Sequence, residues 1–570
     1  MRLPFLYCLL TLVLFSFGET YSPLRVGVVF FPPDTPEQAI AELEKIKSEG
    51  FNQIEYASWV WTLPKPGSKI EEIAETVLNW CDKNSFHFTL IHNIQYGSAG
   101  EGGTLDEIWE NPSRVFPYLE DWVRVLKGHP SVDGIILGNE VSPTMGTPLT
   151  APKLWQGFRQ YLREIYKDDI SKLNLNWGTN YKEFADIGIP PEGSGGNVDL
   201  RRFSYFAFAR FYNYIVREYL RPQLGDKEFS SKTLLDPFLQ RELREYNIAN
   251  WDDLLADFPL WRIKAVADTV KKPLYNSELH LYHDDYNYGS NEYIGRYRYF
   301  MSALLGEYAT SSFSWGGWNK PETKRIHKET LKAIKDLFRL EKYQRALHSL
   351  KPQIGVLLTE TNFYIPHFPD SEAKHPLALL YAYLGTTGVA WSYILEDDLT
   401  EFRLPYLIVW SKGLKRETAE KLIALPRSIR IFYIEKAPEF DEYGSPLPTD
   451  IKEKLKKRGI VISSPEKICD FLPFNKGKGP YGEVVEVPYL WWSPERGHFT
   501  YKVPYAKLEV KRMKLQKGEL LCIINNTKEE ISAPLPVNKH NIWNLVKEEK
   551  VENTSSYKFH PLEVTLFLVD

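Results

Sequence analysis

The sequence predicts an α/β protein: a (β/α)8 TIM barrel over residues 22–350, a flavodoxin-like α/β domain over 351–472, and a small C-terminal β-sandwich over 485–570. Three observations carry that expectation. Short β-branched and aromatic runs alternate with amphipathic helical stretches from Leu24 to about Leu350. The rhythm restarts at Ile354, and after Tyr501 it gives way to short alternating runs. At 570 residues the chain is long enough to bury several cores.

The first barrel unit is the clearest. Arg25 to Phe31 is a β-branched and aromatic strand. Thr35-Pro36-Glu37-Gln38 reads as a capping box with proline at the first helical position. Ile40, Leu43 and Ile46 follow at helical spacing, and Gly50 ends the helix. Asn52–Ser58 is the second strand, Phe86–Ile91 the third and Val132–Leu137 the fourth. Lys232–Leu235 reads as the fifth, Pro273–Ser277 as the seventh and Thr310–Ser314 as the eighth; the sixth has no clear signal. A doubly wound open sheet shares this local pattern, so the barrel rests on strand count. The excursion from Ala151 to Pro222 after strand four has the size and place of a segment that walls a site. In the second domain, Ile354–Leu358, Val389–Ile394, Tyr406–Val409 and Ile429–Ile434 read as buried strands, with helices over Leu377–Leu384 and Glu417–Leu425. That domain has no glycine-rich phosphate fingerprint. Pro473–Gly482 reads as a linker, and Leu520–Ile524, Ile531–Leu535 and Leu562–Leu568 as strands of the last domain.

Charge is nearly balanced, Lys+Arg 70 against Asp+Glu 74, which gives no electrostatic case for nucleic acid or an anionic membrane. Aromatic residues make up 14 %, with 16 Trp and 34 Tyr, enough to serve either large cores or the apolar faces of sugar rings. Arg2 followed by the apolar stretch Leu3–Phe17 and the small residues Ser16 and Gly18 predicts a signal peptide over 1–18, hence a secreted or periplasmic protein with no membrane contact after cleavage. Cys81, Cys469 and Cys522 are too few and too scattered for a disulfide framework or a metal cluster. Only 4 Met, with abundant Lys, Glu, Tyr and Pro, is the composition of heat-adapted proteins. Asn525 and Asn553 begin sequons of the glycosylation type.

Chemistry is expected at the ends of two strands. Glu140 closes the run Val132-Asp-Gly-Ile-Ile-Leu-Gly-Asn-Glu140, and Glu278 lies near the end of Lys272-Pro-Leu-Tyr-Asn-Ser-Glu-Leu-His280. If both runs are parallel strands of one barrel, both carboxylates emerge at its C-terminal mouth, where barrel enzymes work. Two carboxylates flanking one sugar are the equipment of a glycosidase acting on an oligosaccharide. Asn93 after strand three, Trp59 after strand two, and His280 and Tyr282 beside Glu278 are candidate substrate contacts by position.

The chain also resembles glycoside hydrolases of clan A, most closely the family 42 β-galactosidases. The resemblance lies in Gly27-Val-Val-Phe-Phe-Pro32, Pro36-Glu37, Gly50-Phe-Asn52, and Asn174-Leu-Asn-Trp-Gly-Thr179 with Tyr181 and Phe184, together with the three-domain order. It implies a retaining exo-acting β-glycosidase with Glu140 as acid/base, Asn139 on the sugar 2-hydroxyl, Glu278 as nucleophile and Trp315 flooring the subsite of the cleaved sugar. A β-mannosidase, a β-glucosidase or an inactive carbohydrate-binding protein are the alternatives on the same scaffold. By analogy a homotrimer is expected. The cysteine cluster that holds zinc in some members is missing, so no metal or cofactor is implied. The resemblance places an arginine late in strand two, but here the run is Asn52-Gln-Ile-Glu-Tyr-Ala-Ser58, with Glu55 near that position.

Overall fold

The computed structural model describes residues 24–58, 62–97, 103–233, 235–253, 260–280, 293–313, 315, 324–363, 375–411, 413–473, 477–493, 497–537, 541–552 and 554–570. The expected signal segment, Trp59, Tyr282 and Asn553 lie outside them. Among the described residues no helix is long and apolar enough to cross a membrane.

Eight strands form one sheet in the order β5-β4-β3-β2-β1-β8-β7-β6. They are β1 (Arg25–Phe30), β2 (Gln53–Ser58), β3 (His87–His92), β4 (Val132–Ile136), β5 (Glu228–Ser230), β6 (Ala249–Asp253), β7 (Leu274–His280) and β8 (Glu307–Phe313), and every pairing is parallel. Side chains stitch the seam between β5 and β6. The Asn247 amide accepts from the Phe229 N–H at 2.8 Å and donates to the Lys227 carbonyl at 3.0 Å, while the Asn250 amide donates to Ser230 Oγ at 3.0 Å. The interior cluster Val29, Ala57, Ile91, Ile136, Ile248, Tyr275, Tyr308 and Ala309 draws on both sides of that seam, so the sheet wraps into a barrel. The fifth strand lies upstream of the expected Lys232–Leu235. The sixth, missed in the sequence, begins Ala249-Asn-Trp.

The first helix, α1 (Pro36–Ser48), forms as its sequence dictates. Thr35 Oγ1 accepts from the Gln38 N–H at 3.3 Å, and Ala39, Leu43 and Ile46 bury one face. At the N-terminal end of the barrel the buried Arg25 guanidinium meets Asp133 at 2.7 Å, Glu228 at 2.6 Å and the Tyr308 hydroxyl at 2.6 Å, and lies over the Tyr308 ring. One cation thus bridges carboxylates from β4 and β5 beneath the core, with His87 also on Asp133 at 3.0 Å. Arg25→Met leaves Glu228 without its cation and Asp133 with His87 alone, and because both acids are partly exposed an expected loss of about 3 kcal/mol would be read from urea midpoints against wild type.

The excursion after β4 folds into helices that include Pro152–Tyr166, Ile170–Trp177 and Gly196–Ile215. The Asn174–Thr179 motif is its folding device. Asn174 Oδ1 accepts from Thr179 Oγ1 and the Tyr181 N–H, both at 2.9 Å, and Gly178 ends the helix at φ +69°. The Trp177 N–H donates to the buried Asp199 at 2.9 Å, and Asp199 also accepts from Tyr443 of the second domain at 3.0 Å.

That second domain is a parallel sheet in the order β10-β9-β11-β12-β13, from β9 (Ile354–Leu358), β10 (Trp391–Leu395), β11 (Tyr406–Val409), β12 (Arg430–Ile434) and β13 (Gly459–Ile462). This is the flavodoxin-like order. The last part is antiparallel: a hairpin of β14 (Val484–Ser493) and β15 (Gly497–Ala506), then a five-stranded sheet that includes β16 (Leu508–Lys514), β17 (Glu519–Asn525) and β18 (Val564–Val569). Both faces of β17 are buried. Leu520, Cys522 and Ile524 join the barrel's outer core, while Leu521 and Ile523 join a separate cluster. That explains the unbroken apolar run. Asn525 is fully buried and its amide donates to the Glu529 and His560 carbonyls at 2.8 Å each, so its sequon is spent on folding.

Candidate active site

Glu140 and Glu278 stand at the same end of the barrel, just past β4 and near the end of β7. The chain around Glu140 turns sharply. Gly138 precedes it, where a Cβ would press within 2.9 Å of the Tyr212 hydroxyl and both Val141 methyls, and Glu140 itself adopts φ +52°. A non-glycine residue in this left-handed region is strained, and such strain persists where neighbours over-determine it. Here they do. The Lys232 N–H donates to the Gly138 carbonyl at 2.9 Å, the Val141 N–H donates to the Lys232 carbonyl at 3.0 Å, and the Asn139 N–H donates to Asn93 Oδ1 at 3.1 Å. The Asn139 amide then donates to Glu140 Oε1 at 3.2 Å. Glu140 is exposed and Asn139 half-buried, while Asn93 is buried.

Glu278 is presented differently. On β7 the register against β6 jumps between Asn276 and Glu278, and against β8 between Asn276 and Leu279. One extra residue on β7 therefore forms a bulge at this point, the device by which strands re-aim a side chain. Ser277 holds the bulge, donating to Asn250 Oδ1 at 2.6 Å. Glu278 is 5 % exposed, and its Oε1 accepts from Lys232 Nζ at 2.5 Å. The same ammonium lies 3.1 Å from Glu55 Oε1. Glu55 Oε2 accepts from the Tyr275 hydroxyl at 2.6 Å, and Gln53 donates to that hydroxyl in turn. Glu55 and Lys232 are both fully buried. Burial, chiefly, pushes the Glu55 carboxyl up to about 7, against the pull of Lys232 and Tyr275.

Lys232 is thus the residue that joins the two glutamates. Its backbone pins the turn that carries Glu140, and its side chain contacts Glu278. Sequence reasoning treated it as the start of a strand. The signal that could have found it is a charged residue next to an apolar run, matched by another, Glu55, inside an apolar strand.

Residues 118–332, which contain β4 to β8 and both glutamates, match the family model described as Beta-galactosidase, glycoside hydrolase family 42. This chain carries a family 42 glycoside hydrolase domain. Solved structures share the architecture over nearly the whole length. A family 42 β-galactosidase from G. stearothermophilus aligns with a TM-score of 0.68 at 12 % identity, covering 96 % of this chain and 98 % of that one. The β-galactosidase from Bacillus circulans sp. alkalophilus aligns at 0.66 and 11 %, covering 97 % and 100 %. An exo-carrageenase of the same family from Bacteroides ovatus aligns at 0.64 and 14 %, covering 97 % and 83 %. No curated protein sequence matches the chain.

Against this family 42 frame, the other expected site residues fall into two groups. Asn93, Asn139 and Glu140 come together as one hydrogen-bonded series. Trp315 does not join them: its indole N–H donates to Glu42 of α1, Lys45 of α1 lies 5.1 Å from its ring centre, and it is 5 % exposed within the barrel's outer core. The expected subsite floor is therefore packed against the first helix. The reason is local, since β8 ends beside β1 and the helix after β1 offers a carboxylate within reach. His280 ends β7, and Trp59 and Tyr282 lie outside the described residues. The neighbouring His92 points outward, its Nε2 at 2.9 Å from the Tyr118 carbonyl, and burial drops it to about 4, so it is a neutral core residue. Among the described residues no three His, Cys, Asp or Glu side chains gather as a metal site.

Proposed function

We propose that the protein is a retaining, exo-acting β-glycosidase, with β-galactosides or related β-linked oligosaccharides as substrates. In this reading Glu140 protonates the leaving oxygen and later activates water, and Glu278 attacks the anomeric carbon. Asn139 addresses the 2-hydroxyl. The observation that carries the reading is the joint placement of Glu140 and Glu278 at one end of a family 42 barrel, tied through Lys232. Double displacement asks for carboxyl groups about 5–5.5 Å apart around the substrate. The exposed Glu140 suits a group that must exchange protons with water. The buried Glu278, held on an ammonium, suits a group that must stay ionised. Two of the similar structures are β-galactosidases and the third an exo-carrageenase, which favours galactose-type sugars removed from a chain end.

A panel of aryl β-glycosides tests this. The expected result is fastest release from the galactoside, with proton NMR showing the β-anomer of the sugar as first product. Faster release from a mannoside or glucoside would reassign the sugar. Sugar binding without turnover of any would leave only a carbohydrate-binding scaffold. From the apolar stretch Leu3–Phe17 we further propose export with cleavage behind Gly18, and by analogy with the family a homotrimer. Amino-terminal sequencing of exported protein and its mass in solution check both.

A further inference from the structure

A cavity opens where all three domains meet, walled by the barrel helix Leu260–Thr269, the end of the helix Lys324–His348, the segment 384–392 that leads into β10, and β16. Leu304 and Leu305, just before β8 starts, also line it, so it lies toward the N-terminal end of the barrel, away from Glu140 and Glu278. Its volume is about 280 Å³, the share of about nine waters at ~30 Å³ each. Two largely buried ion pairs face it. From the barrel, Lys264 Nζ lies 3.1 and 3.0 Å from the two oxygens of Asp268, and 4.6 Å from the Trp391 ring centre. Asp268 Oδ2 also accepts from the Tyr393 N–H at 2.8 Å, which ties this helix to β10. From the third domain, Lys511 Nζ lies 3.0 Å from Glu509 Oε1. Glu509 is 5 % exposed, and among the described residues its Oε2 has no hydrogen-bond partner. The His348 ring completes the polar wall, and Gly306 makes room for it: a Cβ there would come within 2.5 Å of the imidazole.

Two properties select a ligand. Charge is balanced, two ammonium groups against two carboxylates. Burial and the two ammonium groups hold His348 below its ordinary range, hence neutral, and Lys351 stands exposed at the rim. An ion entering such a site brings a charge that nothing there offsets. Hydrogen-bonding capacity, by contrast, is not used up. An ammonium has three N–H donors; Lys264 spends at most two on Asp268 and Lys511 one on Glu509, while Glu509 Oε2 lacks a donor. A hydroxyl both donates and accepts, so it answers both needs. Leu305, Leu347, Val389 and Val510 add an apolar wall for the C–H face of a ring. We propose that this three-domain cavity is a second, non-catalytic binding site for a neutral monosaccharide, held by Lys264, Lys511, Glu509 and His348. Small-molecule sites favour domain interfaces, and a volume at the low end of their range suits one pyranose rather than an oligosaccharide. The site does not depend on the glycosidase reading.

Hydrogen–deuterium exchange of the full-length mature protein, read by mass spectrometry, tests this with D-galactose, D-glucose and inorganic phosphate as probes. It resolves the cavity from the face that carries Glu140 and Glu278. Either sugar should slow exchange, saturably, in the peptides that span 260–269, 384–392 and 508–514, and phosphate should not. Glu509→Gln should weaken that protection about tenfold or more, the worth of a hydrogen bond to a charged group, and leave any protection near Glu140 and Glu278 as it was. No protection of the three segments by sugar, protection by phosphate instead, or protection that Glu509→Gln leaves unchanged overturns the proposal. Should Glu509→Gln fail to fold, Ala390→Leu, which adds bulk to the wall and removes no charge, takes its place; protection that survives it is equally fatal. Sugar protection confined to the segments around Glu140 and Glu278 would overturn the cavity site and leave the glycosidase reading intact. Protection at the cavity in a protein that cleaves no aryl glycoside would do the reverse.

Discussion

Glu278→Ala should abolish turnover, with a loss on the order of 10⁵-fold or more, because no covalent intermediate can form without the attacking carboxylate. The side chain left behind vacates space beside Lys232, which is buried and positively charged. A small anion can enter that space, so azide should restore part of the rate on an activated aryl glycoside. It attacks from the face Glu278 used, and the product should be the glycosyl azide of inverted configuration. Product of retained configuration would mean that Glu278 had been the acid/base instead. Rescue also bears on the fold, since a variant that recovers rate with azide has kept its site.

Glu140→Ala should divide substrates by leaving group. General acid help is worth about 10²–10⁴-fold, and it matters most where the departing oxygen is basic. An unactivated disaccharide should lose that full factor, whereas a dinitrophenyl glycoside should keep most of its first-step rate. Equal losses on both would remove Glu140 from the role. The backbone adds a second expectation. Glu140 sits at φ +52° between two hydrogen bonds to Lys232, so Ala at this position relieves no strain, and the fold should change little beyond the lost carboxylate.

Which parts were legible in the sequence follows from which forces act locally. Helix α1 could be read because Thr35, Pro36 and the spacing of Leu43 and Ile46 each act within a few residues. β1 to β4 could be read because each carries several buried apolar residues, such as Val26, Val28 and Phe30 on β1, Ile54 and Tyr56 on β2, Phe88 and Leu90 on β3, and Ile135 and Ile136 on β4. β6 could not. Its Asn250 is a polar seam residue, needed to bridge Ser230 and Ser277, and a strand carrying such a residue shows no hydrophobic pattern. β5 was misplaced because it pairs through only three residues, while the apolar letters after it belong to the segment that carries Lys232. The positions of Glu140 and Glu278 on their strands were visible; the cation between them was not. Glu55 and Lys232 are separated by most of the barrel in sequence, and only closure of the sheet makes their charges neighbours. The contacts of Trp315 were hidden for a similar reason, since its partners Glu42 and Lys45 are distant in sequence and only the pairing of β8 with β1 brings them together.

The terminal β-region has a bearing on how such proteins arise. Leu520, Cys522, Ile524, Val564 and Leu566 cover the flank of the barrel, Tyr297 reaches across to Asn526, and Val487, Val503 and Tyr505 of the hairpin plug into the middle domain. The three parts are thus welded rather than strung. A barrel of this design cannot be shuffled between genes as a free cassette, because wherever it landed it would bring a bare greasy flank that its own tail had evolved to hide.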